Sequence, residues 1–258
     1  MATIGIFDSG VGGLSIWKEL YRALPGERYI YFSDNAYCPY GGKSDDTIVS
    51  RARFITDLLL EKGAELIVIA CNTATAAAIA TLRKEYSIKF IGTEPAVKTA
   101  AARSKSRVVG VLATESTLKA SKYRAMKERV EGDARIVEKV GEGFVEIVES
   151  GSMDTPEALD TVRRSLQPLL DEGADEIVLG CTHYPFLKDL IGKIASGKAE
   201  VINPAPAIAR QTIRVLSEEG IKTNAAPAQG RSGIELISSG PKEPLERMFE
   251  TVCQDLYL

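Results

Sequence analysis

Apolar and polar positions along this chain follow two alternating periods. Short runs with little polar interruption, "TIGIFD" (Thr3–Asp8), "RYIYFSD", "ELIVIA" and "KFIG", have the length of strands. Between them lie longer stretches with apolar residues three and four apart: "LSIWKELYRAL", "DDTIVSRARFITDLLLEKG" and "TATAAAIATLRKEY". The short runs predict strands buried on both faces, and the longer ones predict amphipathic helices. Asp45 or Asp46 is the expected N-cap of the second helix, and Gly63 its stop. Strands alternating with helices of this length predict parallel βαβ units, and hence an α/β fold.

The pattern restarts near Arg107. "RVVGVLAT", "ARIVEKVG", "EIVLGC" and "AEVIN" read as strands. "LKASKYRAMKERV", "GFVEIVESG", "TPEALDTVRRSLQPLLDEG", "PFLKDLIGKIA" and "APAIARQTIRVLSEEG" read as helices, the third capped by Thr155 with Pro156 at its first position. "KTNAAPAQGRSG" reads as a mobile loop of small and polar residues, before a last strand "IELISSG" and a last helix "EPLERMFETVC".

One phrase is written twice. "GAELIVIACNT" begins at Gly63 and "GADEIVLGCTH" at Gly173, with five of eleven positions identical. In each, a cysteine stands just past the predicted carboxyl end of a strand, where open α/β sheets bind ligands. A duplicated α/β unit accounts for the echo, although βα segments share much of this grammar without common descent.

Composition narrows the field. The chain has 258 residues, 45% hydrophobic and 26% charged, with a formal charge of -3 and a pI near 5.5. That balance argues against nucleic-acid binding through a basic surface. No opening basic and apolar segment suggests a signal peptide, and no apolar run approaches membrane-spanning length, so the expected location is the cytosol. The four cysteines, Cys38, Cys71, Cys181 and Cys253, form no CxxC pair, and the single histidine is His183, so neither disulfides nor a zinc site is expected.

Cys38 and Cys253 read as small packed residues. Cys71 and Cys181 differ, because Asn72 and Thr73 follow the one, and Thr182 and His183 the other. Between a strand end and a helix start, unpaired N–H groups and the helix dipole favour a thiolate and can hold a carboxylate. Two such thiols at matching positions suit a symmetric reaction, in which one removes a proton from a carbon and the other returns one to the opposite face. That reaction is racemisation. Other motifs fail on spacing. "YCPYGGKS" has Tyr37 where a phosphate loop needs glycine, "DSGVGG" lacks the dinucleotide-binding spacing, and Ala77 stands where a Cys-x5-Arg loop needs arginine.

"DSGVGGL" from Asp8, "PYG" from Pro39, "ACNTA" from Ala70 and "GCTHYP" from Gly180, taken together and in this order, resemble the glutamate racemases, cofactor-independent enzymes that supply D-glutamate for bacterial peptidoglycan. The resemblance covers nearly the whole chain. It implies two similar open-sheet α/β domains related by pseudo-symmetry, with the active site in the cleft between them. The first would take residues 1–95 and 208–258, the second residues 96–207.

By the same resemblance Cys71 and Cys181 are the acid/base pair. Asp8 assists the first thiol, and His183 and Glu149 the second. Ser9, Tyr40, Gly41, Asn72, Thr73 and Thr182, with Asp8 and His183, contact substrate, and Thr114 and Thr117 fall in a less constant region. The implied enzyme needs no cofactor or metal, takes glutamate as its small-molecule substrate, binds neither nucleic acid nor membrane, and forms a homodimer. Three departures are visible: "KVGEGFV" replaces a common Cys-Pro and leaves Glu146 a rival of Glu149, Ala120 replaces a usual serine, and Asn203 a usual aspartate. Aspartate in place of glutamate, or a silent amino-acid-binding protein, are the alternatives at this stage.

Overall fold

In the computed structural model, which describes residues 1–224 and 233–257, the predicted alternation of strand and helix is present. Most of the small, polar stretch from Lys222 to Gly233, expected to be a loop, lies outside the described residues. The chain divides into two units, Met1–Thr93 with Ala205–Leu258, and Glu94–Pro204.

The first unit opens with β1 (Thr3–Asp8), α1 (Leu14–Ala23), β2 (Arg28–Ser33), α2 (Asp45–Glu61), β3 (Leu66–Ile69), α3 (Asn72–Glu85) and β4 (Lys89–Gly92). The second comprises α4 (Val97–Arg103), β5 (Val108–Ala113), α5 (Glu115–Lys119), α6 (Ser121–Val130), β6 (Arg135–Val140), α7 (Phe144–Ser150), α8 (Pro156–Asp171), β7 (Glu176–Gly180), α9 (Lys188–Ala195) and β8 (Glu200–Ile202). α10 (Ala205–Glu218), β9 (Ile234–Ser238) and α11 (Glu243–Tyr257) return to the first unit.

Among the described residues the first sheet has the order β4-β3-β1-β2-β9 and the second β6-β5-β7-β8, and every pairing in both is parallel. Parallel strands need both faces covered, which is why their sequences carry so few polar residues. On one face of the first sheet Phe7, Ile30, Phe32, Ile67 and Ile69 pack with Ile48, Ile55 and Leu59 of α2 and Ala78 and Leu82 of α3. On the other, Tyr29 meets Trp17 of α1 edge-on at 6.5 Å, and Trp17 also packs on Phe249 of α11 at 5.0 Å. Each fully buried large side chain of this kind contributes about 1.5–3 kcal/mol.

The repeated glycine now has a cause. Gly63 and Gly173 both adopt left-handed backbone, with φ of 88° and 85°. Each closes the preceding helix: Gly63 N–H donates to Leu60 O and Ala64 N–H to Leu59 O, while Gly173 N–H donates to Leu170 O and Ala174 N–H to Leu169 O. These are paired Schellman closures, which need a residue without Cβ strain at that position. The Gly-Ala of the repeat is thus helix-stop chemistry.

Several local expectations change. Ser44, not Asp45 or Asp46, caps α2, its hydroxyl accepting from Thr47 N–H at 3.3 Å, while the two aspartates occupy the first turn and complement the dipole. The helix expected from Leu118 breaks at Ala120, whose extended ψ of 135° separates α5 from α6. α4 was not expected. Thr155 caps α8 and Pro156 is its first residue, as the sequence predicts. Among the described residues no helix is long and apolar enough to cross a membrane.

Candidate active site

Two clusters of the expected residues form, one in each unit. In the first unit, Cys71 follows β3 and is the N-cap of α3, with extended backbone at φ -147° and ψ 121°. Its Sγ accepts from Ala74 N–H at 3.5 Å, and its carbonyl accepts from Thr75 N–H at 2.8 Å. The sulfur thus occupies the place a serine or aspartate oxygen takes in an ordinary cap, where the helix dipole favours negative charge. Ser9 Oγ lies 3.9 Å from it.

Asp8 ends β1 beside β3. Its side chain is buried, and Oδ2 accepts from Gly13 N–H at 2.7 Å. Gly13 opens α1 at close quarters: a Cβ there would lie 2.8 Å from the Tyr31 hydroxyl and 2.9 Å from the Cβ atoms of both Ala70 and Asp8. The "GVGG" run therefore lets the backbone approach the aspartate and deliver an amide to it.

Asn72 and Thr73 begin α3 and are buried. Asn72 is only 4% exposed, yet neither its Nδ2 nor its Oδ1 has a partner among the described residues. An unpaired buried amide costs about 1–3 kcal/mol, which folding alone gives no reason to retain. Tyr40 and Gly41 lie in a short 3-10 turn (Tyr40–Gly42). The Tyr40 ring is 1% exposed, and its hydroxyl donates to Asp34 Oδ2 at 2.5 Å. Burial, and then that bond, push the phenol far above its usual range.

In the second unit Cys181 follows β7. The helix expected from Pro185 starts later: a 3-10 turn (Tyr184–Leu187) takes its place first, with Pro185 in its first turn, and α9 starts only at Lys188. Cys181 is therefore not an α-helical N-cap, and the geometric match of the two cysteines ends at the strand. What stands beside this sulfur is an imidazole. His183 Nδ1 lies 3.8 Å from Cys181 Sγ, and His183 Nε2 lies 2.6 Å from Glu149 Oε1. The ring is 1% exposed, and α7 supplies the glutamate.

Glu146, one turn earlier on α7, is exposed, whereas Glu149 is the carboxylate on the imidazole. Thr182 is buried beside Cys181, and Thr114 caps α5, accepting from Thr117 N–H at 3.3 Å. Three neighbours went unnoticed in the sequence. Asp34 follows β2 directly after Ser33, the register partner of Asp8, and a carboxylate at that strand end was the available signal. Arg51 sits on the polar side of α2 with nothing to mark it. Tyr184 is fully buried against Phe144 at 4.9 Å, its hydroxyl donating to Gly141 O at 3.3 Å.

Comparison with known proteins identifies a family. Residues 4–212 match the family model described as Asp/Glu/Hydantoin racemase. The chain is 44% identical to a glutamate racemase of Herpetosiphon aurantiacus, over 92% of each chain. It is 46% identical to one of Methylococcus capsulatus, covering 93% of this chain and 88% of the relative. Among solved structures, the Escherichia coli glutamate racemase in complex with L-glutamate and the activator UDP-MurNAc-ala superimposes with a TM-score of 0.85 at 32% identity, covering 97% of this chain and 95% of that one. Family model, sequence and fold thus converge: this chain belongs to the Asp/Glu/Hydantoin racemase family and is an amino-acid racemase of the glutamate racemase kind.

Proposed function

We propose that the protein interconverts L- and D-glutamate by a cofactor-independent two-base proton transfer in which Cys71 and Cys181 are the bases. The observation that carries this reading is the placement of both thiols at strand carboxyl ends, each buried and each beside its own polar support. The thiolate of one cysteine takes the α-proton, and the thiol of the other gives a proton to the opposite face of the carbanion. In the reverse direction the two exchange roles. The α3 N-terminus supports negative charge on Cys71. His183, held by Glu149, takes or returns the proton of Cys181.

Asp8 and Ser9 are the groups we assign to the substrate ammonium. Asn72, Thr73 and Thr182, with Tyr40 and Gly41, are those we assign to its carboxylates. The unpartnered Asn72 amide supports that assignment, since a carboxylate oxygen satisfies its Nδ2. The substrate names carried by the related racemases favour glutamate over aspartate. By the same analogy the product serves peptidoglycan synthesis, and the enzyme acts in the cytoplasm as a homodimer.

The test is to incubate the purified protein with L-glutamate in deuterated water, without pyridoxal phosphate, while following optical rotation and the α-proton by NMR. Loss of rotation with deuterium at Cα is the expected result, and Cys71→Ala and Cys181→Ala should each abolish it in both directions. Full activity in either variant overturns the two-base mechanism. Exchange with aspartate but not glutamate overturns the substrate assignment.

A further inference from the structure

Asp34 is fully buried and accepts three hydrogen bonds. Arg51 Nε donates to Oδ2 at 2.9 Å, Arg51 Nη2 to Oδ1 at 2.7 Å, and the Tyr40 hydroxyl to Oδ2 at 2.5 Å. The guanidinium is stacked as well as forked: it lies 4.2 Å from the centre of the Tyr37 ring and 4.7 Å from that of Phe54. Fork and stack fix its plane from two directions. Asp34 N–H donates to Asp8 O at 2.9 Å, so this carboxylate hangs from the same strand ends as Asp8.

This arrangement limits what Tyr40 offers a ligand. Its one hydroxyl proton is committed to Asp34, and its ring is enclosed. Such a hydroxyl cannot also donate to a substrate carboxylate. What the turn can present to an anion is its backbone, and the buried ring holds that backbone in place.

We infer that Arg51 is a positioning residue for the substrate site of the first unit: through Asp34 it anchors the Tyr40 ring, and so fixes the backbone of residues 40–41 against which a glutamate carboxylate binds. The inference rests on the racemase reading above. It gives Tyr40 a role through its main chain, with the side chain as anchor.

The test is steady-state racemisation of glutamate by the wild-type chain, Arg51→Met, Arg51→Lys, Tyr40→Phe and the Arg51→Met/Tyr40→Phe double variant, each with its thermal melt. Arg51→Met and Tyr40→Phe should each raise KM about tenfold while kcat falls less than about threefold, the sign of lost binding with intact chemistry. The double variant should have a KM no higher than the worse single variant, because both act through one network. Arg51→Lys keeps the charge but not the fork and should recover only part of the loss.

Additive KM effects overturn the inference, as does a folded Arg51→Met whose KM equals that of wild type. If Arg51→Met does not fold, Tyr40→Phe and Arg51→Lys decide, since both keep a cation facing Asp34, and an unchanged KM in both overturns the inference. Absence of α-proton exchange in the wild-type chain overturns the racemase reading instead, before any variant is made.

Discussion

His183 places its Nε2 2.6 Å from Glu149 Oε1 and its Nδ1 3.8 Å from Cys181 Sγ. A carboxylate on Nε2 assigns the ring proton to that nitrogen and leaves the Nδ1 lone pair facing the thiol. Cys71 is the N-cap of α3 and rests on the Ala74 amide. In the proposed mechanism the two thiols would therefore be supported by different means.

Glu149→Gln keeps the shape of that contact and removes its charge. Turnover should fall about 10²-fold. The loss should be uneven: the α-deuterium isotope effect should grow for the glutamate enantiomer whose proton Cys181 removes, and change little for the other. Equal isotope effects in both directions would reduce Glu149 to a structural role.

If Asn72 holds the substrate carboxylate as proposed, it does so at the expense of the folded chain. Asn72→Ala removes an unpartnered buried amide, so the ligand-free protein should melt at the same temperature or a few degrees higher, about 1 kcal/mol being recovered. The increase in melting temperature on adding glutamate should shrink. Thermal melts with and without glutamate check both halves, and a less stable variant with an undiminished ligand shift contradicts them.

Gly13 has ordinary helical backbone, at φ -62°, so what it needs there is space. A methyl at this position meets Tyr31, Ala70 and Asp8 inside van der Waals contact. Gly13→Ala should cost about 1–3 kcal/mol in urea unfolding, as overpacking does. It should also lower racemisation, because Asp8 is one of the displaced groups. Unchanged unfolding would mean that the α1 N-terminus shifts freely.

Asp175 gives the second unit an acid limit. Burial pushes its carboxyl up, but the Ser104 hydroxyl and the N–H groups of Ser106 and Lys105 outweigh that and hold it at about 2. A carboxyl depressed below its ordinary value of about 3.9 stabilises the fold above that pH, and the contribution is lost as pH falls through about 2. Asp175→Asn should melt earlier than wild type at pH 7, and its melting temperature should fall less steeply between pH 4 and 2. Parallel curves for the two proteins would contradict this.

The strands and long helices were legible in the sequence because burial on two faces leaves strands such as "LIVI" without polar residues, and α2 and α8 carry strong helical spacing. α4 was not: "VKTAAAR" is short and alanine-rich, and its place is set by packing on β5 and β7, which no local pattern encodes. The cysteines were legible as a pair through the repeat, but their supports were not. Glu146 and Glu149 lie one turn apart on one helix, and only the approach of His183, 34 residues on, separates them. Arg51 reaches Asp34 across 17 residues, a contact made by the fold alone.

The place of β9 on β2 also fixes an order of events at the ribosome. Tyr29–Ser33 pair with Ile234–Ser238, so the β2 edge stays open until residues 234–238 have been made. Residues 94–204 form a separate compact unit whose sheet, among the described residues, takes no strand from the C-terminal segment, and that sheet can close during synthesis. A nascent chain stalled before residue 234 thus carries a finished unit and an exposed, apolar parallel edge, the surface that chaperones cover and that other nascent chains can pair with.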